Sequence, residues 1–321
     1  MTRSWLLLLA LLVVMAALSL ATPLDSLIEL RKADPALASM LVQELRLPRT
    51  LLALGYGAVL GLTGAALQAT FANPLASPDI TGSSSGAALG AVAGAYWLGI
   101  TGPLMLAICG AIGAGLALAG LFAVAGRRSE TATLLLAGVA IALAAGAGTS
   151  LLLALAPSPF AFYDSFEWLM GSFVDRSLPQ AAAALIPATI ACALLAQQGR
   201  ALDMMALGDD VAASVGYQPR RLAVEVVALS AIAVGACVSV CGAIAFVGLI
   251  APYAARALTR GHPGRALLPA AAIGAILLLL ADLIVRLAPA GRSIPVGVIT
   301  TAIGTPLFIW IVARMRRTVA S

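Results

Sequence analysis

Apolar runs close to 20 residues long constrain the fold of this sequence more than any other feature. A transmembrane helix needs about 20 consecutive apolar residues to cross about 30 Å of hydrocarbon. Charged residues make up only 10% of the 321 positions, against about 25% in a soluble domain, so the chain cannot coat a water-facing surface. The sequence therefore predicts an all-α polytopic membrane protein with about ten transmembrane helices, and it excludes a soluble enzyme, a secreted module and a disordered regulator. The predicted helices are residues 5–21, 48–71, 84–98, 104–126, 132–156, 180–196, 221–241, 242–258, 267–287 and 296–313.

The first apolar run allows two interpretations. It follows Arg3 and ends at Ser19-Leu20-Ala21, which is similar to a signal peptide with a small-residue cleavage site. Its length of about 17 residues is also near that of a spanning helix, and further apolar runs follow. We expect a retained helix, with a cleaved signal peptide as the alternative.

The arginines predict how the chain is oriented. All but one of the 19 basic residues are arginine, and they stand in short clusters between the apolar runs. Ten crossings place both termini on one side, which holds most of these clusters and is cytoplasmic by the positive-inside rule. We predict a single transmembrane domain over 1–321, with a cytoplasmic segment 199–220 and periplasmic segments 23–47 and 157–179.

The sequence contains no motif for catalysis, ATP binding or metal binding. Lys32 is the only lysine and no glycine precedes it, so the phosphate-binding loop G-x-x-x-x-G-K-[ST] is excluded. The only histidine, His262, lies in a Gly- and Pro-containing turn between two apolar runs. The cysteines lie in apolar stretches, where they are expected to pack as small hydrophobic residues; they are Cys109, Cys192, Cys237 and Cys241. We therefore predict no catalytic residue, metal or cofactor on this chain, and any ATP must be bound by another chain.

Glycines indicate close helix packing and a possible repeat. A stripe of glycines recurs every four residues and predicts one closely packed helix; it consists of Gly82, Gly86, Gly90 and Gly94. Gly64-Ala65 precedes Pro74 by the same offset at which Gly242-Ala243 precedes Pro252. Interrupted segments at matching places are typical of inverted repeats in transporters. An inverted internal repeat is one interpretation, and chance in a Gly- and Pro-rich chain is the other.

Segment 199–220 predicts a short helix outside the membrane. Gly208 can turn the chain, and Asp209 or Asp210 can cap a new helix and face its positive end. Gly216 and Pro219 then end that helix. Either this segment is an ordinary interfacial loop, or the helix is a docking site for another protein.

Several motifs in one order are similar to those of a single transporter family. They are Arg46-Leu47-Pro48-Arg49, Gly64-Ala65-Ala66-Leu67-Gln68, Asn73-Pro74-Leu75-Ala76-Ser77-Pro78, Gly82-Ser83-Ser84-Ser85-Gly86-Ala87, Ala206-Leu207-Gly208-Asp209, Phe246-Val247-Gly248-Leu249-Ile250-Ala251-Pro252, Leu280-Ala281-Asp282 and Pro295-Val296-Gly297-Val298. From Arg46 to Arg314 the chain resembles the permease subunits of ABC importers for ferric siderophores, heme and cobalamin. The resemblance is to a cobalamin-permease-like, type II importer.

This resemblance implies a permease that is not itself an enzyme and that forms the translocation pathway as a homodimer in the bacterial inner membrane. ATP and Mg are expected on two separate ATP-binding cassette subunits. A periplasmic binding protein is expected to deliver the substrate, which the sequence leaves open among an iron-siderophore, heme and a cobalamin-type molecule. No nucleic-acid partner is expected.

The resemblance also assigns roles to single residues. It makes the helix from Asp209 to Val215 the element that couples the permease to the ATPase; the coupling residues are Leu207, Gly208, Asp209, Asp210, Ala212 and Gly216. Three arginines match positions that receive acidic residues of the binding protein; they are Arg46, Arg49 and Arg286. For Arg286 the alternative is an ion pair with Asp282, one helical turn away.

The gate and the pathway lining are implied in the same way. The predicted cytoplasmic gate consists of Asn73, Leu75 and Thr131. For Asn73 the alternative is that it satisfies backbone groups freed at a proline-containing helix end. The fifth and tenth helices are expected to line the pathway with Gly138, Thr300, Thr301 and Thr305.

An ion-gradient-driven secondary transporter is the alternative function. Such transporters normally carry carboxylates or unwound ion sites within the membrane. In this sequence Glu225 follows Arg221 by one turn near a helix end, and Asp282 lies near the outer end of its helix. An energy source outside the chain is therefore the favoured interpretation.

Overall fold

The computed structural model describes residues 2–100, 102–126, 131–156, 168–288 and 294–319, which are mostly helical and contain no strand. The helices are α1 (Thr2–Ala21), α2 (Leu24–Ala33), α3 (Pro35–Met40), α4 (Leu47–Thr70), α5 (Ser83–Trp97), α6 (Pro103–Ala125), α7 (Thr131–Ala154), α8 (Leu178–Gln197), α9 (Gly199–Met205), α10 (Asp209–Ser214), α11 (Pro219–Cys241), α12 (Val247–Leu258), α13 (Pro263–Arg286) and α14 (Val296–Val319). A π-helical segment, Leu41–Arg46, joins α3 to α4, and a 3₁₀ turn, Pro78–Thr81, precedes α5.

The predicted all-α polytopic membrane fold is confirmed. Among the described residues, six spans are long and apolar enough to cross a membrane, and they contain α4, α6, α7, α8, α11 and α13. Shorter apolar helices lie within α1, α12 and α14, and the 15-residue helix α5 covers the remaining predicted run. These helices correspond one to one with the predicted apolar runs. Of the predicted external segments, 23–47 is mostly helical, with a break at Asp34, whereas 157–167 lies outside the described residues.

Two helices, α5 and α12, begin inside the bundle rather than at its end. Gly82, just before α5, lies beside Gly138 and Ala142 of α7, roughly 10 to 17 Å from the start of that helix. Gly248, near the start of α12, faces the middle of α4. Non-helical backbone therefore enters the bundle before both helices.

The predicted helix 242–258 is wrong over its first five residues. Residues 242–246 are not helical, and left-handed φ angles of 76° at Gly242 and 67° at Phe246 mark the two ends of this break. The hydroxyl of Tyr56 donates to the carbonyl oxygen of Gly242 over 3.2 Å. Irregular backbone at membrane depth requires such internal partners because lipid offers none.

Polar contacts define the two ends of the bundle. At one end α1 and α13 finish and α4 begins, and we call it the Asp282 end after the carboxylate that Arg49 and Arg286 bind there. At the other end α9 meets the start of α13, and we call it the Asp203 end because Asp203 binds the backbone of Gly264 there.

Glycines bring the central helices into backbone contact. A Cβ added at Gly64 of α4 would overlap the carbonyl oxygen of Gly248 of α12. The predicted glycine stripe is confirmed for Gly86 and Gly90, which lie against the α6 backbone at Gly113. Gly82 instead precedes α5 in a left-handed conformation. Close approach through small residues is the expected mode of helix packing in membranes.

The spacing that suggested an internal repeat does not mark equivalent structure. Gly64 lies inside α4 and Pro74 lies in the loop that follows it, whereas Gly242 lies in a break and Pro252 lies inside α12.

The packing predicted for the cysteines is confirmed for two of them. Cys237 and Cys241 are completely buried in an apolar cluster. Both residues therefore pack as small hydrophobic side chains.

Candidate functional site

One buried carboxylate organises the Asp282 end of the bundle. Asp282, on the last turns of α13, has 1% of its surface exposed. Arg49 of α4 donates from Nε to both of its oxygens at 2.9 and 3.1 Å, and Arg286 donates from Nε to Oδ2 at 2.8 Å. The side chains of Arg286 and Arg49 are 5% and 19% exposed. A single negative charge thus holds two guanidinium groups from different helices.

The same arginine cluster caps the end of α1. Arg46 donates to the carbonyl oxygens of Leu20 at 3.1 Å, Ala21 at 2.8 Å and Pro23 at 3.0 Å. Arg286 donates to the carbonyl oxygen of Ser19 at 2.5 Å. The last carbonyls of a helix lack intrahelical partners and carry partial negative charge. These arginines therefore anchor α1 to α4 and α13.

The structure brings together the three arginines predicted to dock a binding protein. Arg46, Arg49 and Arg286 line one open cavity of about 370 Å³, together with Asp175. The alternative prediction, an ion pair between Arg286 and Asp282, is confirmed. The pairing of Arg49 with Asp282 was missed, because the two residues are 233 positions apart and nothing in the sequence links them.

The predicted short helix in segment 199–220 is present as α10, Asp209–Ser214. Gly208 and Gly216 flank it with φ angles of 113° and 92°, which favour glycine. Gly208 itself occupies the N-cap, so Asp209 and Asp210 lie in the first turn rather than capping the helix. Their charges still face the positive end of the helix.

The exposed side of α10 carries apolar side chains. Leu207 is 64% exposed, Val211 42% and Val215 56%. Ala212 is completely buried and packs in the apolar cluster beneath, so it holds α10 to the bundle, and its role in coupling stays a prediction. The helix α9, which occupies the first part of segment 199–220, was not predicted.

The predicted gate residues lie where the chain leaves α4 and enters α7. Asn73 Oδ1 accepts a hydrogen bond from the backbone N–H of Leu75 at 2.9 Å, which confirms the alternative role of satisfying local backbone. Leu75 is 37% exposed, and Thr131 is the first residue of α7, with its side chain outside the described part. No observation joins the three residues into a gate, so that role stays a prediction.

The residues predicted to line the pathway differ in their exposure within one chain. Gly138 is buried against Gly82, and Thr300 is 7% exposed and donates to the carbonyl oxygen of Gly297 at 3.0 Å. Thr301 and Thr305 lie on the exposed side of α14. No observation assigns these residues to a pathway, so that role stays a prediction.

A second polar link, also missed, lies at the Asp203 end. Arg256, at the end of α12, donates to Gln68 Oε1 near the end of α4 at 2.7 Å. Gln68 in turn donates to the carbonyl oxygen of Leu249 at 3.4 Å. This link ties the interrupted helix α12 to the central helix α4.

Comparison with known proteins agrees with this arrangement along the whole chain. The sequence profile of the FecCD transport family matches residues 5–314. The chain belongs to the FecCD transport family. Proteins named vitamin B12 import system permease protein BtuC, from Salmonella schwarzengrund (strain CVM19633) and Salmonella typhi, are each 38% identical to it over 319 residues, covering 98% of this chain and 96% of the relatives.

A solved structure gives the same result for the fold of this FecCD family member. It is an inward-facing conformation of a metal-chelate type ABC transporter, with a TM-score of 0.81 and 30% sequence identity, covering 95% of this chain and 97% of the other. The chain is therefore the membrane permease of an ABC importer of this type, a family in which the ATPase is a separate subunit.

Proposed function

We propose that two copies of this permease form the pathway of a binding-protein-dependent importer for a metal-containing chelate, such as cobalamin, heme or a ferric siderophore. Two ATP-binding cassette subunits, which we call the motor subunits, bind at the Asp203 end, in the cytoplasm. The binding protein docks at the Asp282 end, in the periplasm. The observation that carries this proposal is the exposed, glycine-flanked helix α10 on a chain whose residues 5–314 match the FecCD family.

The distribution of arginines supports this orientation. Exposed arginines gather around α9, α11 and the start of α13, at the Asp203 end; they are Arg200, Arg220, Arg221, Arg260 and Arg265. Arg49 and Arg286 at the other end bind Asp282, and Arg46 there binds the end of α1. A surplus of arginine in short loops marks the cytoplasmic side, so both termini are cytoplasmic in this proposal.

The chemistry of α10 suits a contact with a motor subunit. Leu207, Val211 and Val215 offer exposed apolar surface, with Asp209 and Asp210 beside them. Exposed apolar side chains with a polar rim are typical of protein interfaces. Bulky β-branched residues at Gly208 or Gly216 would strain the flanking turns, and we expect them to uncouple ATP hydrolysis from uptake while leaving membrane insertion intact.

Docking at the Asp282 end is tested with a single matched pair of variants. Arg49→Gln removes one charge from the arginine cluster, and Arg31→Gln removes one charge from the exposed surface of α2. We expect affinity for the binding protein to fall about ten-fold in Arg49→Gln and to stay unchanged in Arg31→Gln, measured by surface plasmon resonance on nanodiscs. Equal affinities would remove the cluster from docking.

The substrate class is proposed from two relatives. Their names specify vitamin B12 import and metal-chelate transport, and both cargoes are large molecules that contain a metal. We expect the binding protein that co-purifies with this permease to bind cobalamin, heme or a ferric siderophore with micromolar or tighter affinity. Calorimetry with these ligands, with free iron and an amino acid as controls, provides the test. Tight binding of only a control ligand would contradict the proposed cargo.

A further inference from the structure

The helix α9 lies between the exposed helix α10 and the body of the bundle. Its residues Leu202 and Met205 are 0% and 4% exposed and pack in the same apolar cluster as Leu267 of α13. Ala212, the buried residue of α10, belongs to this cluster as well. The helix α10 contacts α9 and, less extensively, the following helix α11, so a displacement of α10 acts directly on α9.

A side chain of α9 caps the first turn of α13. Asp203 Oδ1 accepts a hydrogen bond from the backbone N–H of Gly264 at 2.8 Å. First-turn N–H groups have no partner within their own helix, and His262 at the N-cap of α13 supplies no side-chain acceptor. Asp203 thus caps the start of α13 from a different helix. Its carboxylate accepts the hydrogen bond, and its negative charge lies at the positive end of α13.

Two glycines make this contact tight. A Cβ added at Gly264 would overlap the carbonyl oxygen of Gly199. The backbones of α9 and α13 therefore touch directly, beside the Asp203 hydrogen bond. Interiors packed this closely shift as units and transmit strain.

The other end of α13 holds the arginine cluster. Asp282 lies 18 residues beyond Gly264 on the same helix, about 27 Å along its axis. Pro269 removes one backbone hydrogen bond near the start of α13, but the next residue, Ala270, lies against the α4 backbone at Gly61. One helix, supported along its length by α4, joins the Asp203 contact to the Asp282 carboxylate.

We propose that Asp203 is a positioning residue that transmits movement of α10 to α13. This inference rests on the proposed function, since it requires a motor that moves α10. When the motor displaces α10, α9 moves with it, and the Asp203 hydrogen bond together with the Gly199 contact draws the first turn of α13 along. Without the Asp203 acceptor, α9 slides against α13, and each ATP hydrolysed by the motor subunits drives less substrate uptake.

The experiment compares two substitutions at one position in the assembled importer in proteoliposomes. Asp203→Leu keeps the branching at Cγ but carries larger methyl groups and no acceptor, whereas Asp203→Asn keeps both the size and an oxygen that accepts from Gly264. We expect uptake per ATP hydrolysed to fall about five-fold in Asp203→Leu and to stay within about two-fold of wild type in Asp203→Asn. Both rates are measured on equal amounts of assembled complex, so a loss of stability alone does not change the ratio.

A wild-type measurement needs no substitution. Hydrogen exchange in peptides 199–206 and 263–267 is compared with and without turnover of the ATPase. We expect the two peptides to change protection together, and a change in only one of them would overturn the proposal, as would a wild-type ratio of uptake to hydrolysis in Asp203→Leu. Absence of ATP-driven uptake in the wild-type complex would instead contradict the proposed function itself.

Discussion

The buried ion cluster of Asp282, Arg49 and Arg286 predicts a large stability effect from a small substitution. Asp282→Asn keeps the size of the side chain and removes its charge. Arg286, which is 5% exposed, and Arg49, which is 19% exposed, would then share no counter-ion. Breaking a buried ion pair by neutralising one partner costs about 3–5 kcal/mol, because a charge remains without compensation. We expect a loss near 3 kcal/mol, because Arg49 retains some access to water.

A second ion pair in the chain provides the matched control. Arg221 and Glu225 are also four residues apart on one helix and 2.9 Å apart, but their side chains are 75% and 37% exposed. Surface pairs of this kind contribute about 0.2–1 kcal/mol. Glu225→Gln should therefore change the free energy of unfolding by less than about 1 kcal/mol.

The free energy of unfolding is measured by titrating the purified permease with denaturing detergent in mixed micelles and following helicity by circular dichroism. A loss in Asp282→Asn no larger than that in Glu225→Gln would refute the reasoning from burial. The triple variant Arg49→Met, Asp282→Leu, Arg286→Met tests the cause. Removing these three charges together should recover most of the lost stability.

Two further substitutions test the central packing. Gly64→Ala places a Cβ onto the carbonyl oxygen of Gly248, so we expect about 1–3 kcal/mol of destabilisation. The control is Gly115→Ala, where a Cβ meets nothing within 4 Å and which should be neutral or stabilising. Equal effects of the two substitutions in the unfolding titration would contradict the backbone contact. Tyr56→Phe removes the hydrogen bond to Gly242 and should cost about 0.5–1.5 kcal/mol in the same titration, and an unchanged free energy would show that the break after α11 needs no such partner.

Hydropathy predicted the number and order of the long helices because spanning length is a property of the local sequence. It misjudged α12 because apolar residues are equally suited to a helix and to non-helical backbone buried in a bundle. Residues 242–246 are as apolar as the helices around them. The left-handed conformation of Phe246 is an outlier for a bulky residue, and nothing in the sequence indicates it.

The candidate site was predicted where its residues lie close together in sequence. The glycines around α10 are separated by a single short helix, so turn chemistry alone located them. The partners of Asp203 and Arg49 are 61 and 233 residues away, and only the three-dimensional packing brings them together. Ion pairs and caps between distant helices have no periodic signature that a single sequence can reveal.

The central claim is that this permease is driven by a separate ATPase acting on its Asp203 end. The most direct test is uptake of the chelate into proteoliposomes that contain the permease, its ATPase and the binding protein. The account predicts uptake that requires ATP on the side of the ATPase and continues after proton and sodium gradients are collapsed with ionophores. Uptake by the purified permease alone, driven by an ion gradient without ATP, would contradict it.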